Sequence, residues 1–230
     1  MSVSYGTSFA AVEGWLRTFA CLLFAGWLVM LPQAPVFAQA GAKPLKLVVL
    51  GDSLSAGYNL PGPAAFPVRL QKALTDKGIA VEIANAGVSG DTTSGGLGRL
   101  DWSVPDGTQG VILELGANDA LRGVDPKIPR EALTEIIKRL QARGIKVLLC
   151  GMLAPPNYGR DYADKFNAIY PDLAKQFDVP LYPFFLDGVA GESKLNLPDG
   201  MHPTAEGVDV VVNKILPTVE AFVAALAPKS

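Results

Sequence analysis

A single histidine, His202, stands in this chain of 230 residues, three positions after Asp199 in the run Leu197-Pro198-Asp199-Gly200-Met201-His202-Pro203. An imidazole beside a carboxylate is what serine-based hydrolysis needs. The imidazole takes the hydroxyl proton, and the acid fixes its tautomer and stabilises the imidazolium. Any such chemistry here must run through His202. It then requires a serine hydroxyl that the fold can bring to that imidazole, and hydrogen-bond donors for an oxyanion.

Three stretches carry groups of the right type. Gly51-Asp52-Ser53-Leu54-Ser55 follows an apolar run and offers a hydroxyl with a free backbone N–H behind it. The elbow pattern Gly-x-Ser-x-Gly is absent, because Ser55 holds the place of the last glycine. Asn85-Ala86-Gly87-Val88-Ser89-Gly90-Asp91-Thr92-Thr93 offers glycine N–H groups and close backbone approach. Gly116-Ala117-Asn118-Asp119 offers an uncharged amide donor. Read one at a time, these are a polar turn, a flexible turn and an asparagine cap, and His202 is a surface or capping histidine. A nucleotide loop is excluded, since Gly96-Leu97-Gly98 lacks a third glycine and no Gly-Lys-Ser/Thr run exists.

The elements around them explain how they meet. Lys46 to Leu50, Ala80 to Ala84, Gly110 to Leu115 and Lys146 to Cys150 suit strands buried on both faces of a parallel sheet. Helical spacing joins Phe66, Leu70, Ala73 and Leu74, with Gly78 as the cap. It also joins Leu133, Ile136, Ile137 and Leu140, opened by Pro129 and closed by Gly144. A last helix runs from Val208 to Leu226, with a kink or break expected at Pro217. This alternation predicts a three-layer α/β/α, flavodoxin-like fold around a parallel sheet of about five strands. Ligands bind outside the carboxyl ends of such strands, which is where each suspect stretch falls.

Gly51-Asp52-Ser53-Leu54, Gly87-Val88-Ser89-Gly90-Asp91, Gly116-Ala117-Asn118-Asp119 and Asp199-Gly200-Met201-His202-Pro203 resemble the four blocks of the SGNH (GDSL) hydrolases, in the family's order. The resemblance spans residues 45 to 226. It is closest to the bacterial thioesterase I, lysophospholipase L1 and arylesterase subgroup, through Leu113 to Gly123, Pro155 to Arg160 and Phe177 to Phe185. It implies Ser53 as nucleophile, His202 as general base and acid, and Asp199 as the residue orienting His202. The implied oxyanion donors are the N–H groups of Ser53 and Gly90 and the side chain of Asn118. Ala117 departs from relatives that carry a second glycine there, without removing a donor.

Substrate is less determined than mechanism. Met152, Leu153, Ala154, Pro155 and Pro156 follow the fourth strand and either wall an acyl channel or pack beneath the loop. Leu121 lies in the segment Ala120 to Asp125, which by the resemblance closes over an acyl chain. The reading is a serine esterase acting on small or lipid acyl esters and thioesters. A carbohydrate acetylesterase and a non-catalytic binding module are the alternatives on the same scaffold. No metal or cofactor is expected, with one histidine and no cysteine cluster.

Composition bounds the setting. Hydrophobic content of 49% with 18% charged residues marks a chain that buries a full core, and a net charge of −2 excludes a nucleic-acid surface. Thr18 to Leu31 is an apolar run of 14 residues after Arg17, too short to span a bilayer comfortably. Ala38-Gln39-Ala40 follows with the small residues of a cleavage site. Residues 1–40 therefore read as a secretory leader cut after Ala40, or after Ala38, and 41–230 as the hydrolase domain. A periplasmic or secreted enzyme with no membrane span after cleavage is expected. Cys150 then remains alone, so no intramolecular disulfide can form.

Overall fold

The computed structural model describes residues 1–3 and 43–227. The apolar leader and its candidate cleavage sites lie outside the described residues. The chain divides into Met1–Gly41 and Ala42–Ser230, and the second unit carries the regular elements among the described residues. In chain order it runs β1 (Leu45–Gly51), α1 (Ser53–Ala56), α2 (Phe66–Asp76), β2 (Val81–Gly87), α3 (Thr93–Gly98), α4 (Leu100–Ser103) and β3 (Gly110–Glu114). It continues with α5 (Ala117–Leu121), α6 (Lys127–Ala142), β4 (Lys146–Cys150), α7 (Arg160–Asn167), α8 (Ile169–Phe177), β5 (Leu181–Tyr182) and α9 (Ala205–Leu226).

The five strands form one parallel sheet in the order β2-β1-β3-β4-β5, the flavodoxin-like arrangement. β1, β3 and β4 form on the valine, leucine and isoleucine runs and are buried almost throughout, as central strands covered on both faces must be. β2 departs from that expectation. It runs on to Gly87, carried by its pairing with β1, and only Val81 in it is buried. As an edge strand it has one neighbour and less cover. β5 has only two residues, too short for any periodicity to reveal it.

Helices cover both faces. α2 packs against α9, and α6 packs against α3 and α8. Phe66, Leu70 and Leu74 are the buried stripe of α2, and Gly78 follows its end at φ 77°. α6 starts at Lys127, so Pro129 sits inside its first turn, where a missing N–H costs no bond. α9 runs unbroken through Pro217, against the expected interruption. The ring and the carbonyl it frees lie on the solvent side, since Asn213 and Pro217 are exposed. Ile215, Val219 and Phe222 keep the opposite stripe buried. Proline disrupts a helix least where water can satisfy the orphan carbonyl.

α3, α7 and α8 were not anticipated. α7 and α8 carry a legible stripe, with Phe166, Ile169, Tyr170 and Leu173 all buried. α3 forms despite Gly95, Gly96 and Gly98, because Thr92 caps it by accepting from the Gly95 N–H at 3.1 Å. A side chain at Gly95 would meet the Asp91 carboxylate, and one at Gly96 would meet Leu115. Those glycines serve close packing.

Candidate active site

β1 pairs with β2 and β3 so that Gly51 lies opposite both Gly87 and Glu114. All three strands therefore stop at one level, and the loops that leave them open on one edge. The strand order reverses between β1 and β3, and the crevice at that reversal is where this fold binds ligands.

Asp52 follows β1 and caps α1, its Oδ1 accepting from the Leu54 N–H at 2.9 Å. Ser53 is thus the first residue of a short helix, with its N–H pointing out of the helix start. Gly51 admits no side chain: a Cβ there would lie 2.6 Å from the Glu114 carboxylate. On the far side, Leu197 N–H donates to the His202 carbonyl at 2.7 Å and closes the loop that holds Asp199. Asp199 Oδ1 accepts from the N–H groups of Met201 and His202 at 2.9 and 3.0 Å. Its Oδ2 lies 2.7 Å from His202 Nδ1, and His202 Nε2 lies 2.9 Å from Ser53 Oγ. Beside a carboxylate, Nδ1 carries the ring proton, which leaves Nε2 free to accept from the serine. The backbone N–H of His202, then that of Met201, holds the Asp199 carboxyl down at about 2, so it stays ionised.

Asn118 sits in α5 across the crevice. Its amide donates to the Asp91 carbonyl at 3.0 Å and, more loosely, to Asp52 Oδ2 at 3.3 Å. Gly90 has φ 82°, and its carbonyl accepts from Arg122 at 2.9 Å, tying its loop to the end of α5. The N–H groups of Ser53 and Gly90 donate to no protein acceptor among the described residues. Ser53, Asn118 and His202 line a cavity of about 460 Å³ together with Leu121, Met152, Leu153, Pro155, Phe184 and Leu186. All four residues read as acyl-binding therefore line the same cavity as Ser53, though Met152 is also nearly buried and belongs to the core beneath it. Gly90 does not line it and meets the site through its neighbours. A larger cavity, about 640 Å³, opens at the opposite end of β4 and has neither serine nor histidine in its lining. Cys150 is buried, which pushes its thiol well up and makes it inert as a nucleophile.

Residues 49–210 match the GDSL-like lipase/acylhydrolase family. The chain belongs to that family. An arylesterase of Vibrio mimicus is 44% identical over 162 residues, 70% of this chain and 81% of its own. Thioesterase 1/protease 1/lysophospholipase L1 of Escherichia coli K12 is 42% identical over 161 residues, 70% of this chain and 76% of its own. The crystal structure of AlinE4, an SGNH-hydrolase family esterase, superposes with a TM-score of 0.67 at 43% identity, covering 79% of this chain and 97% of its own.

Several groups around this GDSL-type site escape a reading of motifs. Arg99 is buried, pairs with Asp91 at 2.6 Å and donates to the carbonyls of Ala86 and Gly51 at 2.7 and 2.8 Å. It fixes the residue whose carbonyl holds Asn118. Asp119 accepts twice from Thr93, at 2.9 and 2.8 Å, which locks α5 to the start of α3. Tyr158 donates to the Leu121 carbonyl at 2.7 Å and holds the segment after Asn118 from outside. Beneath Ser53, Glu114 is fully buried and accepts from Ser55 Oγ at 2.5 Å, and its other oxygen has no partner among the described residues. A carboxyl inside an apolar strand run was the signal that could have found it.

Burial pushes Glu114 well up, reinforced by Asp52, and burial pushes Asp52 from 3.8 up to about 7. The folded state therefore binds these protons more tightly than the unfolded chain does. Their contribution to stability is full below pH 3.8 and is lost as pH rises through about 7 and beyond. Asp199 acts the other way, but only as pH falls from 3.8 to about 2. Glu114→Gln imitates the protonated acid and keeps an acceptor for Ser55. The wild-type melting temperature should fall between pH 5 and pH 8 more than the variant's does. Parallel curves would show that Glu114 ionises as easily folded as unfolded.

Proposed function

We propose that the chain hydrolyses acyl esters and thioesters through an acyl-enzyme on Ser53. Family membership makes it an ester-hydrolysing enzyme, and one observation carries the choice of residues: the unbroken Asp199–His202–Ser53 hydrogen-bond chain. Ser53 Oγ attacks the acyl carbon as its proton passes to His202 Nε2, and the carbonyl π pair moves onto oxygen. The N–H groups of Ser53 and Gly90 and the Asn118 amide stabilise that oxyanion, with the looser Asn118 bond to Asp52 the one exchanged for it. Collapse expels the alkoxide or thiolate, which takes the proton from Nε2. Water then attacks the acyl group, gives a proton to Nε2, and the proton returns to Ser53 Oγ.

Leu121, Met152, Leu153, Phe184 and Leu186 make the cavity wall apolar, which favours an acyl chain over an acetyl group on a sugar. An intact nucleophile, base and acid would serve no purpose in a binding module. We also assign residues 1–40 as a leader removed on export. This places lysophospholipids and exogenous esters within reach, and cytosolic acyl thioesters out of it.

Three outcomes test this reading. A fluorophosphonate should label Ser53 alone, and Ser53→Ala should lose both labelling and hydrolysis of a nitrophenyl ester series that longer acyl chains improve. Labelling at another residue, or an alanine variant that still turns over, would remove Ser53 from the mechanism. Asn118→Ala should lower kcat by roughly 10²–10³-fold with little change in KM; a loss in KM alone would make Asn118 a binding group. Intact mass of the chain exported from a bacterial host should match a start at Gly41 or Gln39, and an uncut chain would overturn the leader.

A further inference from the structure

His202 is held at two points, both in the plane of its ring: Nδ1 at Asp199 and Nε2 at Ser53. In-plane hydrogen bonds resist tilting of the ring only weakly. Tyr58 supplies what they lack. Its ring centroid lies 4.4 Å from that of His202, with 34° between the planes. The Tyr58 hydroxyl bonds to no group among the described residues, so the ring face is the part in use.

The placement follows from the nucleophile's own helix. α1 ends after four residues on Gly57, at φ 82°, whose N–H returns to the Ser53 carbonyl. A Cβ at Gly57 would lie 2.8 Å from Ala65 Cβ, so only glycine lets the chain turn there. Tyr58 N–H donates to the same Ser53 carbonyl at 3.2 Å, and Asn59 at φ 55° completes the turn. Ser53 and the ring that covers its base are therefore carried by one short rigid unit. The Tyr58 side chain remains 40% exposed while its ring lies against His202.

We infer that Tyr58 is a positioning residue for His202, which steadies the imidazole and favours its charged form through the π face. The inference rests on His202 being the base. Free His202 must be neutral to accept the serine proton, and the imidazolium exists only while the oxyanion does. A ring face attracts a cation far more than a neutral imidazole. The contact is thus stronger in the transition state than in the substrate complex, and belongs in kcat and not in KM.

A substitution series at Tyr58 separates face electrostatics from bulk. Tyr58→Phe should stay within about twofold of wild type, and Tyr58→Leu should lose about 3–30-fold in kcat with KM unchanged. Replacement by pentafluorophenylalanine keeps the ring and reverses its face potential, so it should group with leucine. Melting temperatures measured on each variant report folding separately, and the rate of fluorophosphonate labelling should fall with kcat. Wild-type kcat in the leucine variant, a loss confined to KM, or equal rates for the phenylalanine and fluorinated variants would overturn the role. His202→Ala measured alongside distinguishes a deeper failure: if it still turns over, His202 is not the base, and the role of Tyr58 falls with it.

Discussion

Parallel strands point their carboxyl ends the same way, and in this chain β1, β2 and β3 also stop in register, at Gly51, Gly87 and Glu114. That alignment leaves carbonyls at the sheet's end with no further strand to satisfy them. The Gly51 carbonyl is met by the Val88 N–H and by Arg99, and the Ala86 carbonyl by Arg99 again. One guanidinium thus closes the edge of the sheet, and its Nε–H fixes Asp91. The donor loops follow from there, because Asp91 holds Asn118 and its neighbour Gly90 is held by Arg122. Remove the common level of the three strands and no single side chain could reach all of these groups.

The same edge carries a cost that most of the core does not. Two carboxyls, Asp52 and Glu114, are taken wholly out of water, with Glu114 accepting from the Asp52 N–H at 3.4 Å. Burying a charge is expensive, so they lean towards their neutral forms. What they return is geometry. Asp52 caps the helix that begins with Ser53 and touches Asn118, while Glu114 holds Ser55 one turn below. An apolar pair would avoid that desolvation cost and would leave the start of α1 without its cap.

The parts legible in the sequence are those set by local pattern. Valine and leucine runs marked β1, β3 and β4, and the stripes of α2 and α6 were plain, as was the contact of Asp199 with His202, which needs only one tight loop. The edge strand β2 was misjudged, because burial depends on neighbours that a run of residues does not name. Pro217 reads as a break in the sequence but does not interrupt α9, because whether a freed carbonyl reaches water is a property of the helix face. Arg99 and Tyr58 stayed hidden for a related reason. Arg99 reaches back to Gly51 and Tyr58 lies against His202, and no spacing announces such a pairing.

His202 meets Ser53 across a separation of 149 residues, so the two partners of this contact are made at nearly opposite ends of the domain. Contacts between such distant positions carry a large loop-closure cost and depend on the folded sheet between them. During synthesis Ser53 emerges long before the imidazole it meets in the fold. A growing or unfolded chain therefore lacks the Asp199–His202–Ser53 contacts, which form only when the last loop seats against the finished sheet.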